Sequence, residues 1–513
     1  MNEKPKSNGC WRWLRRGLIG IAVLITLAAV AVTEEDWRGK RAWENYRCQA
    51  EAHGERFDWL SYFSKPVPDD ENFAKAPFFS SLYSQVWDAK TQTWKSNAVS
   101  PDDPTKMYPY YSDGFDDGDD GDWTQARLTR LEAWQKYYRH PSPKAVGEFP
   151  IAPQPQSPAA DVLLALSKFD PAVEDLRVAS RRPFNQFEIA NAGDSKEFSL
   201  LLQYLAAYKR CTQLLRLRAS AELADNQSAR GLDDVQLLLR LDDELRQEPL
   251  LITQLVSMAI HAYVFQPIYE GLAQHRWNDA QLAELETSLA RKDFLADFQM
   301  AMAGEWVLAF ETMESRRITR KYQTVVDDGA GKSKTVTISF RFTPSAYFYQ
   351  SELAFARVHE QFILPLADVT NRLVSPTAVR QELVTVSNQF KRFSPYKREA
   401  LMTAPAVIRS VRKFAVAQSH TDLALVACAL ERYRLANGGY PESLDPLAPQ
   451  YIGKVPHDII NGQPLHYRRT SDGLFVLYSV GWNEKDDGAQ IVLTKTGSVD
   501  QNQGDWVWRY PAK

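Results

Sequence analysis

The chain has 513 residues, 44% hydrophobic and 24% charged, which is ample for a sizeable core and two or three domains. Five of its 61 bases and one of its 64 acids precede residue 17, leaving a net charge of −7 for everything that follows. Nucleic-acid binders concentrate positive charge on one face, so this balance argues against a nucleic-acid partner.

In chain order, the first element is the uncharged run Gly17–Val32, GLIGIAVLITLAAVAV. Lys4, Lys6, Arg12, Arg15 and Arg16 lie ahead of it, and Glu34, Glu35 and Asp36 behind it. This is the positive-inside pattern, which keeps the N-terminus in the cytoplasm and exports the chain after Thr33. Sixteen residues span about 24 Å of a roughly 30 Å hydrocarbon core; Trp11, Trp13 and Leu14 extend the span while the arginines snorkel. Ala29-Val30-Ala31 also fits a signal-peptidase site, so a retained anchor and a cleaved signal are both open. The expected address is the bacterial inner membrane, single-pass with the body in the periplasm, or the periplasm and beyond after cleavage.

Residues 1–33 are thus read as cytoplasmic tail and transmembrane helix, and 34–158 as an N-terminal extracytoplasmic region. Within the latter, Trp37–Arg56 reads as a charged amphipathic helix, and Pro66, Pro68 and Pro77 force extended backbone. Asp113–Asp122, DGFDDGDDGD, is rich in oxygen donors but fails the EF-hand spacing, so a solvated acidic loop is expected. A helix over Trp123–Tyr138 and a Pro-rich boundary from His140 to Pro158 follow.

Residues 159–400 read as a helical-hairpin domain. Phe198, Leu201, Leu202, Leu205, Tyr208 and Leu215 recur at helical spacing, Leu217–Asp225 and Leu232–Leu245 flank a turn, and Trp277-Asn278-Asp279 opens another helix. These hairpins resemble tetratricopeptide-type repeats, which bind proteins, but no 34-residue period runs through them. An irregular helical bundle or short α-solenoid is expected. A β-hairpin interrupts it at 325–342. His359-Glu360 is followed at the fourth position by Ile363, so the zinc-protease ligand pair is absent.

Residues 410–513 form the last unit. A helix from Val411 stops at Asn437-Gly438-Gly439 ahead of Pro441. Two strands flank Ser471-Asp472-Gly473, Gln490–Thr494 is a short strand, and QGDWVWRYP is a tail. The fold class is therefore α+β, mainly α, ending in a helix packed on a small antiparallel sheet. Cys48, Cys211 and Cys428 would face an oxidising compartment, where three cysteines allow at most one disulfide; Cys211 and Cys428 fit apolar helix faces.

Two stretches carry resemblances. GKRAWENY, GERFDW and PVPDDENFAKAPFF resemble the start of a group of large exported proteins of verrucomicrobial and planctomycete-type bacteria, which implies no activity. The order of helix, YRLANGGYPESL, VPHDIINGQPLHY and FVLYSVGWNEKDDG resembles the globular domain of the major pseudopilin of type II secretion. That resemblance covers about a fifth of the chain and implies a structural Ca²⁺ held by Asn483, Asp486, Asp487 and Asp505. Trp482 and Glu484 depart from the pattern, so a metal-free turn is equally open. The pilin leader geometry is absent: nearly four hundred residues separate the apolar run from the module, which makes filament assembly unlike this chain.

No GxSxG, P-loop or lactamase-type motif occurs, and His457 and His466 lie nine residues apart across a loop, not at metal-ligand spacing. The expected function is a membrane-anchored periplasmic scaffold that engages a protein partner through its helical domain, possible links being envelope or secretion machinery. The alternative is an exported hydrolase with an unrecognised active site.

Overall fold

The computed structural model describes residues 9–58, 67–83, 85–88, 93–96, 107–110, 120–141, 148–186, 195–327, 333–392 and 394–511. The apolar run and the charged helix expected after it are one helix, α1 (Gly9–Ala52). A change from apolar to charged side chains alters the solvent a helix prefers but breaks no i→i−4 bond, and nothing before Gly54 interrupts this one. Its apolar window is fully exposed. Beyond it the helix joins the body: Asp36 Oδ1 accepts from the Ala346 N–H at 2.5 Å, and the buried Trp43 ring lies 5.1 Å from Phe310.

The N-terminal region is built of short pieces: α2 (Ser80–Tyr83), the hairpin β1 (Gln85–Asp88) and β2 (Thr93–Ser96), and α3 (Leu131–Arg139). The helix expected over Trp123–Tyr138 is instead a single 3₁₀ turn, Trp123–Gln125, followed by α3. Ala126 adopts φ 57° and separates them. The Pro-rich stretch expected to mark a boundary packs on its neighbours where it is described. Phe149 is buried 4.8 Å from Tyr138, and Arg139 donates to the carbonyls of Ala152 and Gln154.

The helical body comprises α4 (Pro158–Leu166), α5 (Asp170–Ala179), α6 (Ser195–Ala224), α7 (Ser228–Arg246), α8 (Leu251–Ala273), α9 (Asp279–Ala290) and α10 (Phe294–Thr319). After the hairpin β3 (Lys321–Asp327) and β4 (Ser333–Ser339) come α11 (Ser345–Val358), α12 (Pro376–Phe390) and the 40-residue α13 (Arg398–Asn437). The helices α6, α7 and α8 pack mutually, and α13 lies against α8, α9, α10 and α12. Asn278 caps α9 with a reciprocal bond from Gln281, as the sequence indicates. Gly304 lets α10 meet the loop before α8, since a Cβ there would stand 1.6 Å from the Pro249 carbonyl oxygen. Cys48, Cys211 and Cys428 are all free, the last two buried.

Gly438, at φ 79°, ends α13 with its N–H on the Arg434 carbonyl. The sheet beyond has the order β5 (His466–Arg469), β6 (Phe475–Ser479), β9 (Trp506–Arg509), with β7 (Ile491–Leu493) paired to β8 (Val499–Gly504). The stretch read as a tail thus supplies β9 and the last two residues of β8. Both faces of β6 and most of β9 are buried, so they lack the polar/apolar alternation that marks a half-exposed strand. Trp508 and Tyr510 belong to the same contiguous core that holds Trp43, Trp134 and Tyr269, so the sheet closes one side of the body. The observed class is mainly α with small antiparallel sheets, as expected.

Candidate functional site

A cleft of about 880 Å³ opens where the helical body meets the C-terminal sheet. Its walls come from four separated stretches: residues 121–127, α8 with Arg216 of α6, α13, and the Thr496–Ser498 turn with Gln501. The first wall is the end of the Asp-rich run; its earlier members, 113–119, lie outside the described residues. Asp122 caps the 3₁₀ turn through the Thr124 N–H, and Asp120 pairs with Arg216 at 2.5 Å. Two buried side chains of α8 staple this wall. Gln266 accepts from the Trp123 N–H at 2.8 Å and donates to the Arg127 carbonyl, while Glu270 accepts from the Thr129 N–H at 2.7 Å. Across the opening, Gln125 donates to the Gly497 carbonyl at 3.0 Å, tying the acidic run to the C-terminal module.

The floor is aromatic and the rim cationic. Trp123 sits 5.0 Å from Trp508, 5.4 Å from Phe265 and 4.8 Å from His420. From Phe414 to Glu431, His420 is the one residue of α13 that is not buried, and it faces this cleft. Desolvation by the side chains packed around this half-buried imidazole, with His261 beside it, pushes it down to about 3, so it is neutral at physiological pH. Arg127, Arg216 and Lys413 line the cleft against the single acid Asp122, a positive lining on a net-acidic body. Arg127 and Arg216 are committed to Asp122 and Asp120, whereas Lys413 has no ion pair among the described residues.

Behind the floor lies a buried polar network. His261 Nδ1 is 2.9 Å from Asp242 and its Nε2 is 2.9 Å from the Thr421 hydroxyl. Lys292 donates to Asp242 at 2.7 Å and to Asp243, and Ser257 donates to Asp242. Burial lowers the His261 pKa, and it also raises Asp297 and Asp422 to about 6 although Arg246 and Arg372 face them. Asp242, His261 and Thr421 stand in the order of a hydrolase triad. Thr421, however, is 1% exposed inside α13, does not line the cleft, and back-bonds to the Ala417 carbonyl at 2.7 Å. A nucleophile must reach its substrate. The arrangement ties α7, α8 and α13 to the loop that carries Lys292; His261 reaches the cleft lining, but the Thr421 hydroxyl does not.

The four residues suggested as Ca²⁺ ligands surround one turn, but their oxygens already serve protein donors. Asp505 accepts the N–H groups of Asp487 and Ala489, Asn483 donates to Asp487, and Asp486 turns away to Tyr478 and Gly488. Ca²⁺ takes six to eight oxygens; an ion here would compete with the Asp487 and Ala489 N–H groups for Asp505. Among the described residues no group of three or more His, Cys, Asp or Glu is placed to hold a metal. Asp505→Ala should lower the stability of the full chain by about 1–3 kcal/mol, because the buried Ala489 N–H and the half-buried Asp487 N–H lose their acceptor. Chelator should leave the wild-type melting temperature unchanged; a fall on chelation, absent in Asp487→Ala, would restore the ion. His457 and His466 are separated: the first contacts the carbonyls of Asn371 and Arg372, the second stacks on Tyr478. Asp458 between them accepts from Ile460 N–H, Val480 N–H and the Ser479 hydroxyl, a wholly structural role.

Sequence spacing gave no sign of Lys413, His420 or the Gln266–Glu270 staple, which meet only through long-range packing. The one available signal was α13 itself, whose stretch from Phe414 to Leu430 is largely apolar and carries His420. No family model matches the chain, and no curated protein or solved structure is significantly similar to it.

Proposed function

We propose that this protein is a single-pass, membrane-anchored extracytoplasmic scaffold that binds, without catalysis, an acidic extended segment of a protein partner. The observation that carries the reading is the cleft: a positively lined, aromatic-floored groove shared by two parts of the chain, from which the Thr421 hydroxyl is withdrawn. The fully exposed apolar window of α1, with bases ahead of it and acids behind, supports the anchor and its orientation. The other helix apolar and long enough to cross a membrane, α8, is mostly buried in the body. The pseudopilin-like order of parts at the C-terminus supports a link to envelope or secretion machinery.

Orientation is tested by an impermeant maleimide on spheroplasts. Cys48 is exposed just beyond the apolar run, whereas Cys211 and Cys428 are buried. The expected result is labelling that Cys48→Ser abolishes. Labelling only after the cells are permeabilised would overturn the export of the body.

A further inference from the structure

A second groove, of about 390 Å³, lies between α10, the end of α11 with its π turn His359–Ile363, and the start of α13. Its position follows from α1. Asp36, which holds the N-terminus of α11, is four residues past Val32, about 6 Å along the axis from the end of the apolar run. That is headgroup depth. The end of α10 and the start of α13 are at the same level, because Glu399 meets both Arg316 of α10 and Tyr347 of α11.

The surface at this level has the character of a bilayer contact. Phe342 is 93% exposed, and Ile318 of α10, Ile338 of β4 and Met402 of α13 are exposed as well. Lys321, Arg341, Lys391, Arg392, Lys397 and Arg398 carry no ion pair among the described residues. Exposed apolar side chains interleaved with free cations complement acyl chains and lipid phosphates. The groove then runs from this surface up into the body, lined by Leu308, Ala309, Phe355, Val358 and Val407. At its far end Trp306 and His359 stack at 6.1 Å, and Trp306 Nε1 and His359 Nε2 are buried with no hydrogen-bond partner among the described residues. Burial keeps His359 neutral, at about 4, with its ring held by the Met302 backbone. An N–H donor and a free imidazole nitrogen side by side suit a group that both accepts and donates, such as a carboxylic acid. Orphaned buried polar atoms of this kind call for a partner.

We propose that this groove binds a single-chain amphiphile of the long-chain fatty-acid class, its carboxyl end between Trp306 and His359 and its tail toward the bilayer. The assignment rests on the membrane-anchored reading above. The test uses the full chain in phosphatidylethanolamine–phosphatidylglycerol vesicles with palmitic acid carrying a diazirine at its tail. Photolabel is expected on peptides around Arg316 and Met402, displaced by unlabelled palmitate. Ala309→Trp and, independently, Thr403→Trp should block the groove and abolish that label, with unchanged thermal transitions showing that each variant is folded. Trp306→Phe keeps the ring and loses the N–H, and should weaken palmitate competition about tenfold. Label confined to α1, or label that both Trp variants leave intact, would overturn the groove. Displacement by a prenyl alcohol in preference to palmitate would overturn the carboxylic-acid assignment. Carbonate extraction of the same vesicles separates the two readings, because release of the protein would sink the anchor whatever the labelling shows.

Discussion

Lys292→Met should lower the unfolding free energy by about 3–5 kcal/mol, the loss expected when one partner of a buried ion pair is removed. Lys292 is 4% exposed and Asp242 wholly buried. The methionine stem fills the space of the lysine stem, so the effect reads out the charge and not a cavity. Burial alone would raise the Asp242 pKa, yet Lys292 and His261 hold it well below the usual carboxylate range. A carboxyl depressed in the folded state stabilises the protein above its unfolded pKa of about 3.9, and that contribution is lost as pH falls. In Lys292→Met burial wins and the Asp242 pKa rises, so its contribution is lost as pH increases instead. The gap between wild type and variant should therefore be widest near neutrality and narrow as pH falls through about 4. Denaturant titrations at both pH values check this. A loss below about 1 kcal/mol at pH 7 would show that the pair is not buried as described.

Trp508→Ala should cost about 3–5 kcal/mol, the range for deleting a buried indole. The ring is fully buried, 5.0 Å from Trp123 and 5.6 Å from Tyr269, and so joins β9 to the 3₁₀ turn and to α8. If the C-terminal sheet is a wall of the body, the variant should still melt in one transition, at lower temperature. Hydrogen exchange should quicken in residues 120–130 as well as in β9. An unchanged helical transition alongside a separate early melting of the sheet would mean that the two parts fold independently.

Local features of the fold were legible because each has a local cause. The capping box at Asn278, the left-handed stop at Gly438 and the turn at Asp472-Gly473 are set by a few adjacent residues. The hairpin β3–β4 was found four residues late, since its first strand begins with the polar Lys321 and Tyr322-Gln323. Strand β9 was missed because it is buried on both faces. The buried network was missed for a related reason. Nothing in the spacing singled out Asp242, although Leu238, Leu239, Leu241 and Leu245 stand around it in sequence and all are buried. Crossing apolar residues on all faces of a helix mark its charges as interior, and hence as paired. The cleft was beyond reach, because its four walls are up to about 380 residues apart in the chain and no spacing rule links them. The sequence also suggested partner binding through the helical region 196–317, which could be deleted as a test. Those residues supply much of the main core, so point changes in the cleft are the sounder probe.

The most direct test of the cleft as the partner site is in-cell photo-crosslinking of the full-length protein with a benzophenone side chain in place of the exposed Gln501. The expected result is a recurrent protein adduct that is lost in Lys413→Glu, a surface reversal of charge that should leave the melting temperature unchanged. A folded, membrane-bound protein that yields no adduct, or the same adduct with Lys413→Glu, would contradict it.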